Sequence, residues 1–307
     1  MTRPRTYDYG KIVELRRKKS QDDVAAEIGC GLGTVIRAMR LAKQVDPALP
    51  ARLPMRRSAA SDRTTKSRLT HPSLAGAIAR MPAIDNAALI EGRTIYPTTV
   101  VHESEVKRAL KSGFHHAKIG AVVMKGRWKG FPIYTLTLEE RATCPSSCRH
   151  WRSCYGNQMH HAERLMPGPE LEWRLTRELA GLDLQHRGGF VVRLHVLGDF
   201  YSAEYVAFWA DMLDRYKALN VFGYSARWMP GDAIARPLLE LSMRRWDRFA
   251  IRFSNMPIEH CATRSIEHPY QCPPDAIVCP AQTGRTESCS TCALCWGMTR
   301  NIAFLQH

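Results

Sequence analysis

The chain has 307 residues, 45% of them hydrophobic, with a formal charge of +15 and ten cysteines; it is long enough for two domains and too apolar for a disordered chain. No apolar run approaches the ~18 residues that cross a bilayer, and the basic start lacks the apolar stretch of a signal peptide, so membrane and secreted classes are excluded as expectations. In the cytoplasm, the location this predicts, thiols stay reduced, and ten cysteines point to metal or catalysis rather than disulfides.

The charge is uneven. Residues 1–70 hold 16 Lys and Arg against 7 Asp and Glu, which marks either a nucleic-acid partner or a solvated basic arm. Tyr9 to Lys43 reads as helices. Ile12, Val13 and Leu15 begin an amphipathic one. Ser20 offers an N-cap, with Asp22 and Asp23 in the first turn. Val24, Ala25 and Ile28 are spaced for one buried face. Gly29-Cys30-Gly31 interrupts, and a second helix runs from Leu32 to Leu41 with Val35, Ile36 and Met39 inward. This is a helix-turn-helix pattern, with small Ala25 at the crossing and Cys30 as a small buried residue. It predicts a DNA-binding domain over residues 1–46, with Gly33, Thr34, Arg37 and Arg40 facing DNA. The other reading is a helical hairpin that packs or dimerises. Residues 47–94 read as a Pro-, Arg- and Ser-rich linker, with one or two short helices after residue 71.

From residue 95 to 307 the pattern is α/β. Strands are predicted over Ala117–Met124 and Phe131–Leu138, flanking a Gly-bounded turn that carries Trp128 among cations. Trp128 there either stacks on a base or sits in a plain hairpin. Then come a helix over Pro169–Leu182, a strand over Gly189–Val196, a helix over Ala203–Leu219, a strand over Val221–Ala226, a helix over Asp232–Arg244 and a strand over Phe249–Ser254. This alternation predicts parallel strands with helical crossovers, as a partial (β/α) barrel or an open parallel sheet, followed by a Cys-rich C-terminal extension. In both forms the chemistry lies at the C-terminal strand ends. The polar residues that fall there are Gly198 and Asp199, Ser225, and Asn255. Asp199 is read either as a ligand for an amine or cation, or as the cap of the next helix.

Two cysteine groups carry the chemistry. Cys144, Cys148 and Cys154 lie within eleven residues after a strand, close enough to wrap one soft metal centre. Three thiolates on a [4Fe–4S] cluster leave one iron open, whereas zinc is the alternative if His150 completes the set. The second group, Cys279, Cys289, Cys292 and Cys295, has the C-x2-C-x2-C spacing of ferredoxin-type clusters, with Cys279 as a fourth ligand. Cys261 and Cys272 are left unassigned. His195 is either a site residue or a hydrogen-bonded core histidine, and the pairs His115-His116 and His160-His161 read as surface.

The stretches GRWKGFPIYTLTLEERATCPSSCRHWRSCYGN, VVRLHVLGDFYSAEYV and VCPAQTGRTESCSTCALCW, over roughly residues 95–307, resemble an uncharacterised phage gene-product-88-like family, which implies no particular activity. The chain also resembles radical S-adenosylmethionine enzymes. That resemblance implies a [4Fe–4S] cluster on Cys144, Cys148 and Cys154, and a Gly198-Asp199 motif that holds the amine of S-adenosylmethionine. It also implies further clusters in the C-terminal cysteine segment. The loop here is C-x3-C-x5-C rather than C-x3-C-x2-C, and the motif carries Asp in place of Glu. The expected function is therefore an iron–sulfur enzyme of that type acting on, or recruited to, nucleic acid. The alternative is a DNA-binding regulator with a structural zinc or redox-sensing iron–sulfur module.

Overall fold

The computed structural model describes residues 7–16, 19, 21–45, 81–116 and 118–306. The chain divides into two compact units, residues 1–67 and 68–307.

The first unit contains α1 (Tyr9–Arg16), α2 (Gln21–Ile28) and α3 (Leu32–Val45). Ile12, Val24, Ala25, Val35 and Ala38 bury together, and Cys30 is partly buried against them. Gly29 turns the chain between α2 and α3 at φ +69°, a conformation that glycine adopts without a Cβ clash. Ile36 does not point inward as the pattern predicts: it is 45% exposed. Ala38 takes the inward place because it lies one turn beyond Val35 on the same face. The predicted Ser20 cap and the segment 46–80 lie outside the described residues.

Among its described residues the second unit has ten strands: β1 (Val100–Val101), β2 (Lys111–Ser112), β3 (Ile133–Thr135), β4 (Arg164–Leu165), β5 (Phe190–Leu194), β6 (Leu219–Ser225), β7 (Phe249–Ser254), β8 (Ala262–Ile266), β9 (Ala276–Val278) and β10 (Asn301–Leu305). Its helices are a short α4 (Ala87–Ile90), then α5 (Pro169–Gln185), α6 (Ala203–Arg215), α7 (Ala235–Arg244) and two single turns, α8 (Cys289–Cys292) and α9 (Leu294–Gly297). β1 and β4 pair with each other. The other eight form one sheet in the order β2-β3-β5-β6-β7-β8-β10-β9. Every neighbouring pair is parallel except β2 with β3. The sheet is open, so of the two predicted forms the structure has the open one rather than a closed barrel.

The crossovers α5, α6 and α7 pack on one face of β5–β7, through Val192, Leu194, Val221, Ile251 and Phe253. Alternate residues Val191, Phe222 and Ala250 point the other way and are covered by Trp296, Ile302 and the cysteines Cys279 and Cys295. Burial on both faces is why these strands read as continuous apolar runs. α5 buries Leu171, Leu175, Leu179 and Leu182 at one-turn spacing, and Ser202 caps α6 by accepting the Tyr205 N–H.

The predicted strand over 117–124 is absent from the described part of that segment, residues 118–124. Only Val122 bridges to Pro132, while Ile119 and Val123 bury under the C-terminal segment. Trp128 is neither a base platform nor a hairpin residue in solvent. It is 3% exposed and stacks on Trp296 with ring centroids 5.6 Å apart.

Candidate metal centres

The first cysteine loop follows Leu138, which lies beyond β3, and is held from below by buried charge. Arg164 is fully buried and donates to both oxygens of Glu140, at 2.6 and 3.2 Å. It also donates to the carbonyls of Gly156, Met159 and Ala162. Arg141 reaches the carbonyl of Trp151 at 2.9 Å and Oδ1 of Asn157 at 2.7 Å. Residues 82–94, part of the stretch expected to hold one or two short helices, dock on the same loop and include α4. The Trp151 indole donates to the Leu89 carbonyl, Arg152 to the Pro82 carbonyl, and Arg93 pairs with Glu139 at 2.7 Å.

Within this frame Cys144, Cys148 and Cys154 are half-buried. Burial pushes all three thiols up, Cys154 to about 11. After burial, Asp199 and Cys154 are the next causes for Cys144, so these groups lie near one another. Thiols raised in this way are poor nucleophiles, and a metal cation would supply the charge that lets them ionise. His150 does not turn to the thiols. Its Nδ1 lies 3.2 Å from the Ser153 hydroxyl and its Nε2 lies 2.9 Å from that of Ser265.

Gly198 brings the end of β5 against this loop, because a Cβ there would stand 2.7 Å from both Leu138 Cβ and Thr143 Oγ1. Asp199 is buried beside it. Its carboxylate accepts from the Phe200 N–H at 2.8 Å, the Ser225 hydroxyl at 2.7 Å and the Ala226 N–H at 2.7 Å. Burial raises it to about 6 despite these donors. Three of its roughly four lone-pair positions are thereby used within the chain. Of its two predicted roles, the helix cap belongs to Ser202. Ser225 thus meets Asp199, whereas Asn255 stands apart from it: Asn255, at φ +58°, accepts the Ser265 N–H at 2.9 Å.

The second group, Cys279, Cys289, Cys292 and Cys295, lines a cavity of about 270 Å³ on the sheet face opposite α5–α7. Burial pushes Cys279 up to about 11 and Cys289 to about 12, and in both Cys295 is the next cause. Arg193 and Lys118 line the same cavity, and among the described residues no Asp or Glu does. Among the described residues neither cation forms a salt bridge. The Arg193 guanidinium lies 4.6 Å from the Tyr224 ring centroid, and the Tyr224 hydroxyl donates to Cys295 Sγ at 2.9 Å. His150 and Tyr155, both from the first cysteine loop, also line the cavity. So does His116, which the sequence assigned to the surface; burial lowers it to about 4 and its Nδ1 has no partner. Cys261 and Cys272 stay outside the cavity. Cys261 is in the turn between β7 and β8, and Cys272 packs beside Ile266 and Ala276.

From beneath, Arg252 clamps the C-terminal cysteines. This arginine is fully buried on β7 and donates to the carbonyls of Cys295 at 2.8 Å, Arg300 at 2.9 Å and Met298 at 2.5 Å. Sequence reading passed over Arg193 and Arg252, although each is a charge set inside an apolar strand, a position that demands a buried partner.

Among the described residues no three His, Cys, Asp or Glu side chains are placed to hold a single metal ion. The donor chemistry of both groups, thiols with few competing oxygens, fits a soft centre, and the two cavity cations would offset the negative charge of a thiolate-bound one.

His195 is a core histidine on the helix side of the sheet, with Nε2 3.2 Å from the Tyr205 hydroxyl. Burial lowers it to about 3, so it folds neutral. Above pH 6.5 it makes no demand. As pH falls below 6.5 the unfolded chain gains a proton that the folded chain refuses, and stability drops until about pH 3. Stability measured by urea unfolding is expected to fall by about 1.4 kcal/mol per pH unit from this one residue, and His195→Phe is expected to remove that part of the slope.

No family model matches the chain, and neither a curated protein nor a solved structure is significantly similar to it.

Proposed function

We propose that this is an iron–sulfur protein with two thiolate sites. The observation that carries the reading is the cavity lined by Cys279, Cys289, Cys292 and Cys295, with Arg193 and Lys118 in its wall and no Asp or Glu side chain among the described residues. Zinc draws four ligands onto one point at about 2.3 Å. Four cysteines around an open space suit a larger body of iron and sulfide. Cys144, Cys148 and Cys154 form the second site, beyond the C-terminal end of β3.

The enzyme reading, radical S-adenosylmethionine chemistry, rests on that second site. A [4Fe–4S] cluster on three thiolates supplies an iron with a free coordination position. The chain's own contribution is to hold the loop on the Arg164–Glu140 and Arg141–Asn157 contacts and to set Asp199 and Ser225 at the neighbouring strand ends. Anaerobically purified protein is expected to be brown, with iron and acid-labile sulfide in equal amounts. Cys292→Ser and Cys148→Ser are each expected to remove about half of the iron, and reduced protein to cleave S-adenosylmethionine. Colourless protein with stoichiometric zinc would refute the reading; brown protein that leaves S-adenosylmethionine intact would refute only its enzymatic part.

A DNA-directed role for the first unit is supported by α3, where Gly33, Arg37 and Arg40 are exposed and Thr34 is half-exposed. In this reading α3 contacts bases and phosphates. Replacing Arg37 and Arg40 by Ala is expected to weaken DNA binding and to lower the salt slope by about 1 for each lost phosphate contact. An unchanged salt dependence by fluorescence anisotropy would leave the unit as a packing module.

A further inference from the structure

The cavity wall holds a tyrosine whose only polar atom points at a candidate ligand. Tyr224 lies on β6, on the face turned away from α5–α7. Its hydroxyl donates to Cys295 Sγ at 2.9 Å. Three features fix it there. Gly223, just before it, lets β5 and β6 approach so closely that a Cβ would stand 1.7 Å from the Leu194 carbonyl oxygen. The Arg193 guanidinium covers the Tyr224 ring at 4.6 Å and is itself tied down by the carbonyls of Leu194 and His195. From the other side Phe304 of β10 meets the ring edge-on, with centroids 5.4 Å apart. Among the described residues the Tyr224 hydroxyl has no other hydrogen-bond partner than Cys295.

We infer that Tyr224 sets the reduction potential of the C-terminal centre by hydrogen bonding to the Cys295 sulfur, with Arg193 as the residue that positions the phenol. The inference rests on the iron–sulfur reading of this cavity. A hydrogen bond to a ligand sulfur withdraws charge from the centre, and that stabilises the reduced form, which carries one more electron. The guanidinium acts in the same direction through its charge. A centre with both is easier to reduce than the same four thiolates without them. The chain thus has a residue-level means of making this centre an electron acceptor toward its surroundings.

The test is a potentiometric titration with dithionite, followed by electron paramagnetic resonance, on anaerobically purified full-length protein. Tyr224→Phe removes only the hydroxyl. It is expected to shift the ratio of reduced to oxidised centre about tenfold toward oxidised at a fixed potential, equal to about 59 mV for a one-electron couple. A second variant carries 3-fluorotyrosine at position 224, which keeps the ring in place and strengthens the donor. It is expected to shift the ratio in the opposite direction, and it serves if the phenylalanine variant fails to fold. Tyr201→Phe, which loses a hydroxyl on the helix side that donates to Glu172, is expected to leave the potential unchanged. Wild-type protein with full iron and sulfide, whose potential is the same in the position-224 variants, would overturn the inference and leave the iron–sulfur reading standing. Wild-type protein without iron and sulfide would overturn both.

Discussion

Arg164→Leu is expected to destabilise the second unit by about 3–5 kcal/mol, seen as a lower urea midpoint. Arg164 and Glu140 are both buried, at 0% and 1% exposed. Removing the guanidinium leaves a carboxylate in the interior, where the hydroxyl of Thr94 at 2.8 Å is its best remaining donor. Arg141 stands off at 3.8 Å. The carbonyls of Gly156, Met159 and Ala162 lose a donor at the same time. A loss of this size is about a fifth or more of the stability of an ordinary domain, about 5–15 kcal/mol. The charge is the cause, so neutralising the partner should help. Arg164→Leu combined with Glu140→Gln is expected to be more stable than Arg164→Leu alone, with a coupling of about 0.5–3 kcal/mol. Equal stability of the two would show that the carbonyl contacts, not the ion pair, matter.

Arg252→Leu is expected to act at the other site and to act locally. Leucine fills much of the volume but offers no donor to the carbonyls of Cys295, Met298 and Arg300. Hydrogen bonds from a charged group contribute about 1.5–3 kcal/mol each, and they do not simply add. A loss of about 3 kcal/mol or more is expected, concentrated in the segment that carries α8, α9 and β10. Thiol labelling of metal-free protein resolves this. Cys292 and Cys295 should react faster in the variant, while Cys144 and Cys154, in the loop held by Arg164 and Arg141 rather than by Arg252, should keep their wild-type rates. Uniform acceleration of all thiols would mean global unfolding instead.

What could be read in advance follows from where each segment finds its partners. β5, β6 and β7 are apolar runs because both faces are buried within the unit, and their crossovers carry apolar residues at helical spacing, all leucine in α5. Such signals are local. Residues 118–124 carry the same β-forming side chains, yet Ile119 and Val123 bury against a segment some 170 positions later in the chain, and no local pattern distinguishes that from strand pairing. β8 and β10 mix Thr, Arg, Ser and Asn with apolar residues, β9 is three residues long, and their spatial order is not their chain order. The division of the cysteines into Cys144–Cys154 and Cys279–Cys295 was legible from spacing alone. That His116, Lys118, Arg193 and Tyr224 share a cavity with the second group was not, because three separate segments supply them. The partners of residues 82–94 were not legible for a related reason: Arg93 and Thr94 meet Glu139 and Glu140 some 45 positions later, and Pro82 and Leu89 contribute only backbone carbonyls.

The position of β10 has a consequence for how this protein is made. β10 is an interior strand, with β8 on one side and β9 on the other, and β9 has no other partner in the sheet. Synthesis runs from the N-terminus, so Cys279, Cys289, Cys292 and Cys295 leave the ribosome before the strand that closes their cavity. During that interval the four thiols are open to solvent, and once Asn301–Leu305 slots between its neighbours the wall formed by Ile302, Phe304 and Leu305 is complete. The order of the strands thus fixes an order of maturation: for the proposed iron–sulfur centre, delivery has its widest opening while β10 is still outstanding.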